Sequence, residues 1–336
     1  MATLKDVARA AGVSVTTASI VANGKAAENR ITDSTVQRVL AVMDELRYVP
    51  NHSARLLRSQ APHRPYIGFF WAYDTRVNML GIRLAQLQRT IQEQELDIEI
   101  SVQFFRRGHI AEALSPASVR RFDGIIAGAT AEEDIQQLEA LALSVPIVLL
   151  NRSSEKLSTV GVDNTEMGKE IASLIKKKGY TECAIVRSRE LYSGVSTRMK
   201  AFLAACAELG IETRPEWTFS SEAGIVGGAR AVEEYVCLAH RPRVLFFESD
   251  TMAQGGLFTL KKSGIRVPGE VELITVGTQL PEALEYLTPA VSAVSIPQNV
   301  ERQAMFTMIR LLREKPQAPV HIRMAPQIQL RESFTI

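Results

Sequence analysis

Four short hydroxyl side chains, Ser14, Thr16, Thr17 and Ser19, follow closely on a small residue, a turn glycine and an apolar residue (Ala8, Gly12 and Val13). Such a set offers hydrogen bonding rather than bond-making chemistry. Hydroxyls and backbone N–H groups at the start of a helix reach phosphate oxygens, and outward side chains meet base edges. Ala8, Gly12 and Val13 let one helix cross another at close range, the arrangement of a helix-turn-helix. The same pattern also suits a three-helix bundle with an ordinary polar face. Charge favours the nucleic-acid reading. Residues 1–64 hold nine Lys and Arg against five Asp and Glu, a surplus of four, whereas the whole chain carries +2, so the remaining 272 residues carry a net −2. A local excess of positive charge suits a polyanion, because each phosphate neutralised releases counterions.

Catalytic signatures are absent. The glycine cluster Gly224, Gly227, Gly228 lacks the GxGxxG spacing of a dinucleotide site, and no GxSxG, HExxH or Walker A sequence occurs. The three cysteines (Cys183, Cys206, Cys237) have no CxxC spacing, and the five histidines stand at no metal-ligand spacing. Buried free thiols in a reducing compartment are expected, with no metal and no cofactor. No apolar run approaches the roughly 20 residues that cross a bilayer, and the opening MATLKDVARAAG lacks the apolar core of an export signal. A cytoplasmic protein without a membrane partner is the expectation.

Three helices should position the hydroxyls. Thr3 is placed to cap a helix over Leu4–Ala11, with Asp6 completing a capping box and Gly12 ending it. A second helix runs from Ser14 to about Ala22, stopped by Asn23-Gly24. Thr32 or Asp33 caps a third, whose Val36, Val39, Leu40, Met43 and Leu46 form one stripe. Pro50 breaks the chain, Asn51 can cap a short segment His52–Ser59, and SQAPHRP is a linker. From Tyr66 onward apolar runs alternate with amphipathic helices. Strands are predicted at Ile67–Trp71, Ile98–Phe104, Gly124–Ala127, Ile147–Leu150, Cys183–Arg187, Val244–Phe247 and Leu273–Val276. Helices are predicted at Leu80–Glu93, Glu132–Leu143, Glu166–Lys178, Ser196–Leu209, Gly227–Ala239 and Ala253–Ser263. The class is therefore α/β, with parallel sheets covered on both faces; some 270 residues call for two of them.

The run TLKDVARAAGVSVTTAS, then NG, then RVLAVMDELRYVPNHSARLLRS resembles the DNA-binding headpiece of the lactose-repressor-like (LacI/GalR) family over about 60 residues. The rest, more diffusely, resembles that family's regulatory domain, itself similar to periplasmic sugar-binding proteins. Val162-Asp163-Asn164 with Gly168, Lys178-Gly179-Tyr180, Arg198 ahead of Ala201-Phe202, Ser249-Asp250 and Gly264–Pro268 carry that likeness. The resemblance implies a helix-turn-helix domain over 1–50, a hinge helix and linker over 51–64, and a regulatory domain over 65–336. Within the last it implies two doubly wound subdomains, about 65–162 with 292–319 and about 163–291 with 320–336, the chain crossing between them three times.

The resemblance also implies partners: double-stranded operator DNA, a small-molecule effector (a sugar or sugar derivative) and a second copy of the chain in a homodimer or larger assembly. Thr3, Ser14, Val15, Thr16, Thr17, Ser19, Ile20, Asn23, Lys25, Arg30, Tyr48 and Asn51 would face DNA. In the family a hinge helix wedges a leucine into the minor groove; the match places Leu57 there, with Leu56 as competitor and Ala54 as the small residue between paired hinges. Packing of that helix on the regulatory domain is the plainer alternative. Ile20 departs from the arginine frequent in relatives and allows only apolar contact, such as a thymine methyl.

For the effector, Arg198 matches the family's ligand-binding arginine. Asp163 stands either at the cleft or as a structural cap, and Asp250 follows Ser249 where relatives often carry Asn-Asp. Tyr73 and Asp74 end the first strand and line the mouth, while Trp71 suits core as well as mouth. Gln279 replaces the family's sugar-gripping acid, and no aromatic precedes the Gly227-Gly228 helix. Both departures tell against an ordinary sugar. The expectation is an effector-switched transcriptional repressor. A small-molecule-binding protein without regulatory role and an α/β enzyme with an appended DNA-binding domain are the competing readings.

Overall fold

The computed structural model describes residues 3–22, 26, 29, 31–46, 64–74, 77–114, 116–119, 121–189, 193–278 and 281–336. The chain divides into two compact units, Met1–Arg64 with Leu114–Phe122 and Pro65–Ala113 with Asp123–Ile336. The hinge reading at Tyr48, Asn51, Ala54 and Leu57 lies outside the described residues.

In the first unit, α1 (Leu4–Ala11), α2 (Val15–Ala22) and α3 (Asp33–Glu45) pack on one another. Each start has a side-chain cap or hydroxyl cluster. The Thr3 hydroxyl accepts from Asp6 N, and the Asp6 carboxylate takes both the N–H and the hydroxyl of Thr3, at 2.8 and 2.7 Å. These bonds, the hydroxyl's first, hold the Asp6 carboxyl below its ordinary pKa. Gly12 ends α1 at φ +62°, a left-handed conformation that a side chain resists. The core is Val7, Ala8, Ala11, Ala18, Val21 and Val39, with Val36, Val42, Met43 and Leu46 against it. Leu40, expected in that stripe, is 48% exposed. The stripe is centred on Val39 and flanked by Val42, which turns Leu40 outward.

The second unit holds two six-stranded sheets. The first comprises β1 (Tyr66–Ala72), β2 (Glu99–Phe105), β3 (Gly124–Gly128), β4 (Ile147–Leu150), β5 (Ser158–Val162) and β11 (His321–Met324), in the order β11-β5-β4-β3-β1-β2 and parallel throughout. The second comprises β6 (Ala184–Ser188), β7 (Thr218–Ser221), β8 (Val244–Phe247), β9 (Glu272–Gly277), β10 (Ser292–Ser295) and β12 (Gln327–Gln329), in the order β12-β10-β9-β8-β6-β7, with β12 alone antiparallel. The longer helices between them are α4 (Val77–Glu93), α5 (Glu132–Leu141), α6 (Asn164–Lys177), α7 (Ser193–Leu209), α8 (Ile225–Val236), α9 (Asp250–Lys262) and α10 (Val300–Glu314). Apolar clusters cover both faces of the second sheet: Met167, Ile171, Phe202 and Phe246 on one, Trp217, Tyr235, Leu257 and Phe247 on the other.

The subdomain limits read from the sequence need correction at two places. Ser292–Ser295 pairs with β9 and so belongs to the second sheet, and His321–Met324 pairs with β5 and so belongs to the first. The chain crosses between sheets at Asp163, between Ile296 and Asn299, and at Ala325-Pro326. Ladder hydrogen bonding decides membership, and both segments are too short and polar to show it.

Helices α8 and α9 meet backbone to backbone. A Cβ at Gly228 would strike the Met252 carbonyl, and one at Gly255 the Ile225 carbonyl. Overpacking of this kind costs about 1–3 kcal/mol, so Gly255→Ala should lower stability by that amount or more, read from the urea unfolding midpoint. Burial raises the Cys206 thiol to about 12 and pushes Cys183 well above the usual thiol range, whereas Cys237 is exposed. A colorimetric disulfide reagent should therefore titrate one thiol in the native protein and three after unfolding.

Candidate functional site

The strands of both sheets deliver residues to one cavity at their C-terminal ends, where open α/β sheets place ligands. Trp71 comes from β1, Leu150 from β4, Val162 from β5 and Ser188 from β6, with Ala129, Asn151, Glu248 and Thr278 just past β3, β4, β8 and β9. The cavity measures about 580 Å³, room for a small organic molecule. The apolar part of its wall includes Met79, Val195, Ile225, Val226 and Ile296.

Local geometry aims the polar residues. Asn151 sits at φ +51°, and its side-chain oxygen accepts from Val162 N at 3.1 Å, joining the ends of β4 and β5. Asp163 caps α6 by accepting from Thr165 N and Glu166 N at 2.9 and 3.0 Å. That cap starts the helix at Asn164, which lines the cavity and accepts from Arg198 Nη2 and Nε at 3.1 and 3.4 Å. Gly168 lets α6 approach α7 closely enough to hold Arg198, since a Cβ there would meet the Arg198 carbonyl.

Arg198 is 5% exposed and its Nη1 has no hydrogen-bond partner. Burial pulls its guanidinium down to about 10, against opposing support from Glu248 and Asp250. The cavity wall holds a second buried cation. Arg83 on α4 donates to Glu301 Oε1 at 2.7 Å and to the Thr278 carbonyl at 3.2 Å, so one guanidinium touches both halves of the unit. Glu301, in the first turn of α10, is fully buried and its Oε2 has no partner.

Among the residues expected at the effector, Arg198 lines the cavity. Tyr73, Asp74, Asp163 and Asp250 are not in its wall. Tyr73 is 72% exposed and packs edge-on against Phe104, with centroids 6.1 Å apart, because the residue after Ala72 turns out of the sheet. Asp163 spends its carboxylate on the α6 cap. Asp250 is fully buried and accepts from Thr278 N and Oγ1 at 3.1 and 3.2 Å, fixing the loop that carries Thr278. Gln279 lies outside the described residues. Arg83, Glu301, Glu248, Asn164 and Asn151 were not assigned to the effector site from the sequence. Asn164 adjoined a chosen residue, whereas nothing local marks Arg83 or Glu301, whose meeting depends on a contact between residues 218 positions apart.

In the first unit, Ser14, Val15 and Thr16 are exposed at the start of α2, and Ser19 and Ile20 are half-buried. Ser14 Oγ caps α2 by accepting from Thr17 N at 2.9 Å and lies 2.8 Å from the Thr17 hydroxyl. Thr3 is likewise occupied with its own cap. Asn23, Lys25 and Arg30 lie outside the described residues. No group of three or more His, Cys, Asp or Glu among the described residues is placed to hold a metal ion, and no helix among them is long and apolar enough to cross a membrane.

A helix-turn-helix unit joined to a two-sheet domain with a cavity between the sheets defines a DNA-binding regulator with an effector-binding domain. Residues 3–51 match the bacterial regulatory proteins of the lacI family, and residues 175–334 match a periplasmic binding protein-like domain. The chain is thus similar to LacI-family transcription regulators across both of its units. It is 26% identical to the HTH-type transcriptional repressor PurR of Photobacterium profundum, covering 99% of this chain and 98% of that one. It is 24% identical to the ribose operon repressor of Haemophilus influenzae, covering 99% of each. A crystal structure of a LacI family transcription regulator from Clostridium acetobutylicum superposes with a TM-score of 0.76 at 28% identity, over 80% of this chain and all of that one.

Removing one member of a buried ion pair strands the other, at about 3–5 kcal/mol. Glu301→Leu should thus destabilise the protein by that order. Adding Arg83→Met should recover much of the loss, measured as the coupling in a double-mutant unfolding cycle.

Proposed function

We propose that the chain is a cytoplasmic, homodimeric transcriptional repressor without catalytic turnover, whose grip on operator DNA is set by a small molecule in the cavity between its two sheets. Residues 1–50 read DNA, 51–64 form the hinge and 65–336 sense the effector. The observation that carries this reading is that both sheets and the crossing beside them contribute to one cavity. A ligand touching both walls favours one angle between the halves, and that angle sets the spacing of the two hinges in a dimer. Coupling requires a ligand that binds one angle more tightly, by about 1–3 kcal/mol.

On the DNA side, Val15, Thr16, Ser19 and Ile20 meet base edges, while Thr3, Ser14, Thr17, Asn23, Lys25, Arg30, Tyr48 and Asn51 serve the phosphates and docking. Leu57 is the minor-groove wedge, with Ala54 at the approach of the paired hinges. Relatives named as repressors, one of them of a ribose operon, support the sign of the regulation and a sugar-like effector.

The test is binding to duplexes selected from random sequence at physiological salt. The chosen operator should bind about 10³-fold or more tightly than random duplex, and a chain lacking residues 1–60 should lose DNA while keeping its cavity ligand. Equal binding of operator and random duplex would overturn the reading.

A further inference from the structure

The two orphaned atoms in the cavity wall have opposite polarity and come from opposite halves. Arg198 Nη1, on α7 beside the second sheet, can only donate; Glu301 Oε2, on α10 against the first, is the free oxygen of a carboxylate that Arg83 already holds. Both side chains are more than nine-tenths buried. Buried polar atoms of this kind find partners, and both residues line the cavity.

The two ends differ in charge. Glu301 is neutralised by Arg83 at 2.7 Å, so a second cation placed against Oε2 would have no counter-charge of its own, whereas a hydroxyl supplies the missing donor. Arg198 has Coulombic support from Glu248 and Asp250 but no carboxylate in hydrogen-bonding contact among the described residues. There its hydrogen-bond partner is the neutral Asn164 oxygen, shared by Nε and Nη2. The carboxylates nearby are committed elsewhere: Glu248 Oε1 accepts from Ser188 N at 2.7 Å, and Asp250 accepts from Thr251 N and from Thr278. A dehydrated guanidinium without an ion pair is costly, and its open end matches a carboxylate in two-point contact. The depressed Arg198 pKa has the same cause, desolvation outweighing the surrounding carboxylates.

We infer that the effector is a hydroxylated monocarboxylic acid, such as an aldonic or uronic acid, with its carboxylate on Arg198 and a hydroxyl donating to Glu301 Oε2. The inference rests on the cavity being the effector site. It makes the ligand a strut between the two halves, with the Trp71 ring and the aliphatic wall against its C–H surface. A phosphate would bring a second negative charge towards Glu248 and Asp250, which disfavours it.

The experiment is calorimetric titration of the full-length protein with matched pairs: D-gluconate and D-glucitol, D-glucuronate and D-glucose, D-galacturonate and D-galactose. Operator affinity is measured in parallel. At least one acid should bind 30-fold or more tightly than its neutral partner and shift operator affinity. Arg198→Met should bring that preference below 3-fold, and Arg198→Lys, which keeps charge but loses the planar fork, should give an intermediate value. Glu301→Gln should weaken the acid about 10-fold while leaving the preference over its neutral partner. Thermal unfolding of each variant separates lost binding from lost folding. Neutral members that bind as tightly as the acids and move operator affinity overturn the acid while leaving the cavity as effector site. No response to any member overturns the acid as well, whereas loss of operator selectivity in the unliganded protein strikes the regulatory reading instead.

Discussion

A charge taken out of water has to be compensated, and the two buried guanidiniums in the cavity wall, Arg83 and Arg198, meet that demand in different ways. Arg83 is compensated within the chain. It reaches Glu301 and the Thr278 carbonyl, Thr278 in turn binds Asp250, and Asp250 heads α9. The result is a continuous polar relay from α10 and α4, beside the first sheet, to α9, beside the second. Such a relay tolerates little change in the separation of the halves, because Arg83, Glu301 and Asp250 are buried and a lost link leaves a buried polar group without a partner. Arg198 is compensated only in part, by an amide oxygen in contact and by the Coulombic support of Glu248 and Asp250. One cation thus ties the two halves to each other, and the other keeps a donor without a partner.

The backbone beneath these side chains explains why they can be aimed at all. Parallel strands point their C-terminal ends the same way, so residues distant in sequence, from Trp71 to Ile296, converge on one rim. Capping then sets the start of each helix. Asp163 begins α6 at Asn164, and Ser249 begins α9 at Asp250, its hydroxyl accepting from Met252 N at 3.4 Å. Gly168 supplies the missing volume that lets Arg198 sit against α6. Each polar group in the wall is therefore placed by a cap, a strand end or a glycine.

Legibility in the sequence followed the range of the interaction. Thr3, Asp6 and Gly12 lie within ten residues of one another, and the capping box and left-handed stop read from them are present as drawn. The seven apolar runs read as strands are all strands; six are largely buried, which leaves an apolar signature, and the seventh, β2, is a part-exposed edge strand. The segments STVGV, TFSS, SAVS, HIRM and QIQ carry no such signature, being interrupted by polar side chains, and were not read as strands; nor was α10 read as a helix. With α10 went Glu301. Arg198 was legible only through family likeness, and Asp163 and Asp250 were chosen for their neighbourhood although their carboxylates serve the backbone. A carboxylate was expected to be missing from the ligand end of the cavity once Gln279 was recognised, yet Glu248 and Glu301 both stand in the wall, brought there by pairings that no local pattern encodes.

The two shortest crossings lie side by side. Asp163 alone separates β5 from α6, Ala325 and Pro326 alone separate β11 from β12, and Asp163 N donates to the Met324 carbonyl at 2.9 Å. Two short, mutually bonded connectors fix the spacing of the halves at this edge, so that a change of angle between them would turn about that bond. The third connector, Pro297 to Asn299, carries the chain directly into the turn that presents Glu301. Any swing about the Asp163–Met324 hydrogen bond therefore moves the carboxylate through an arc, so that opening and closing change what the cavity offers as well as how wide it is.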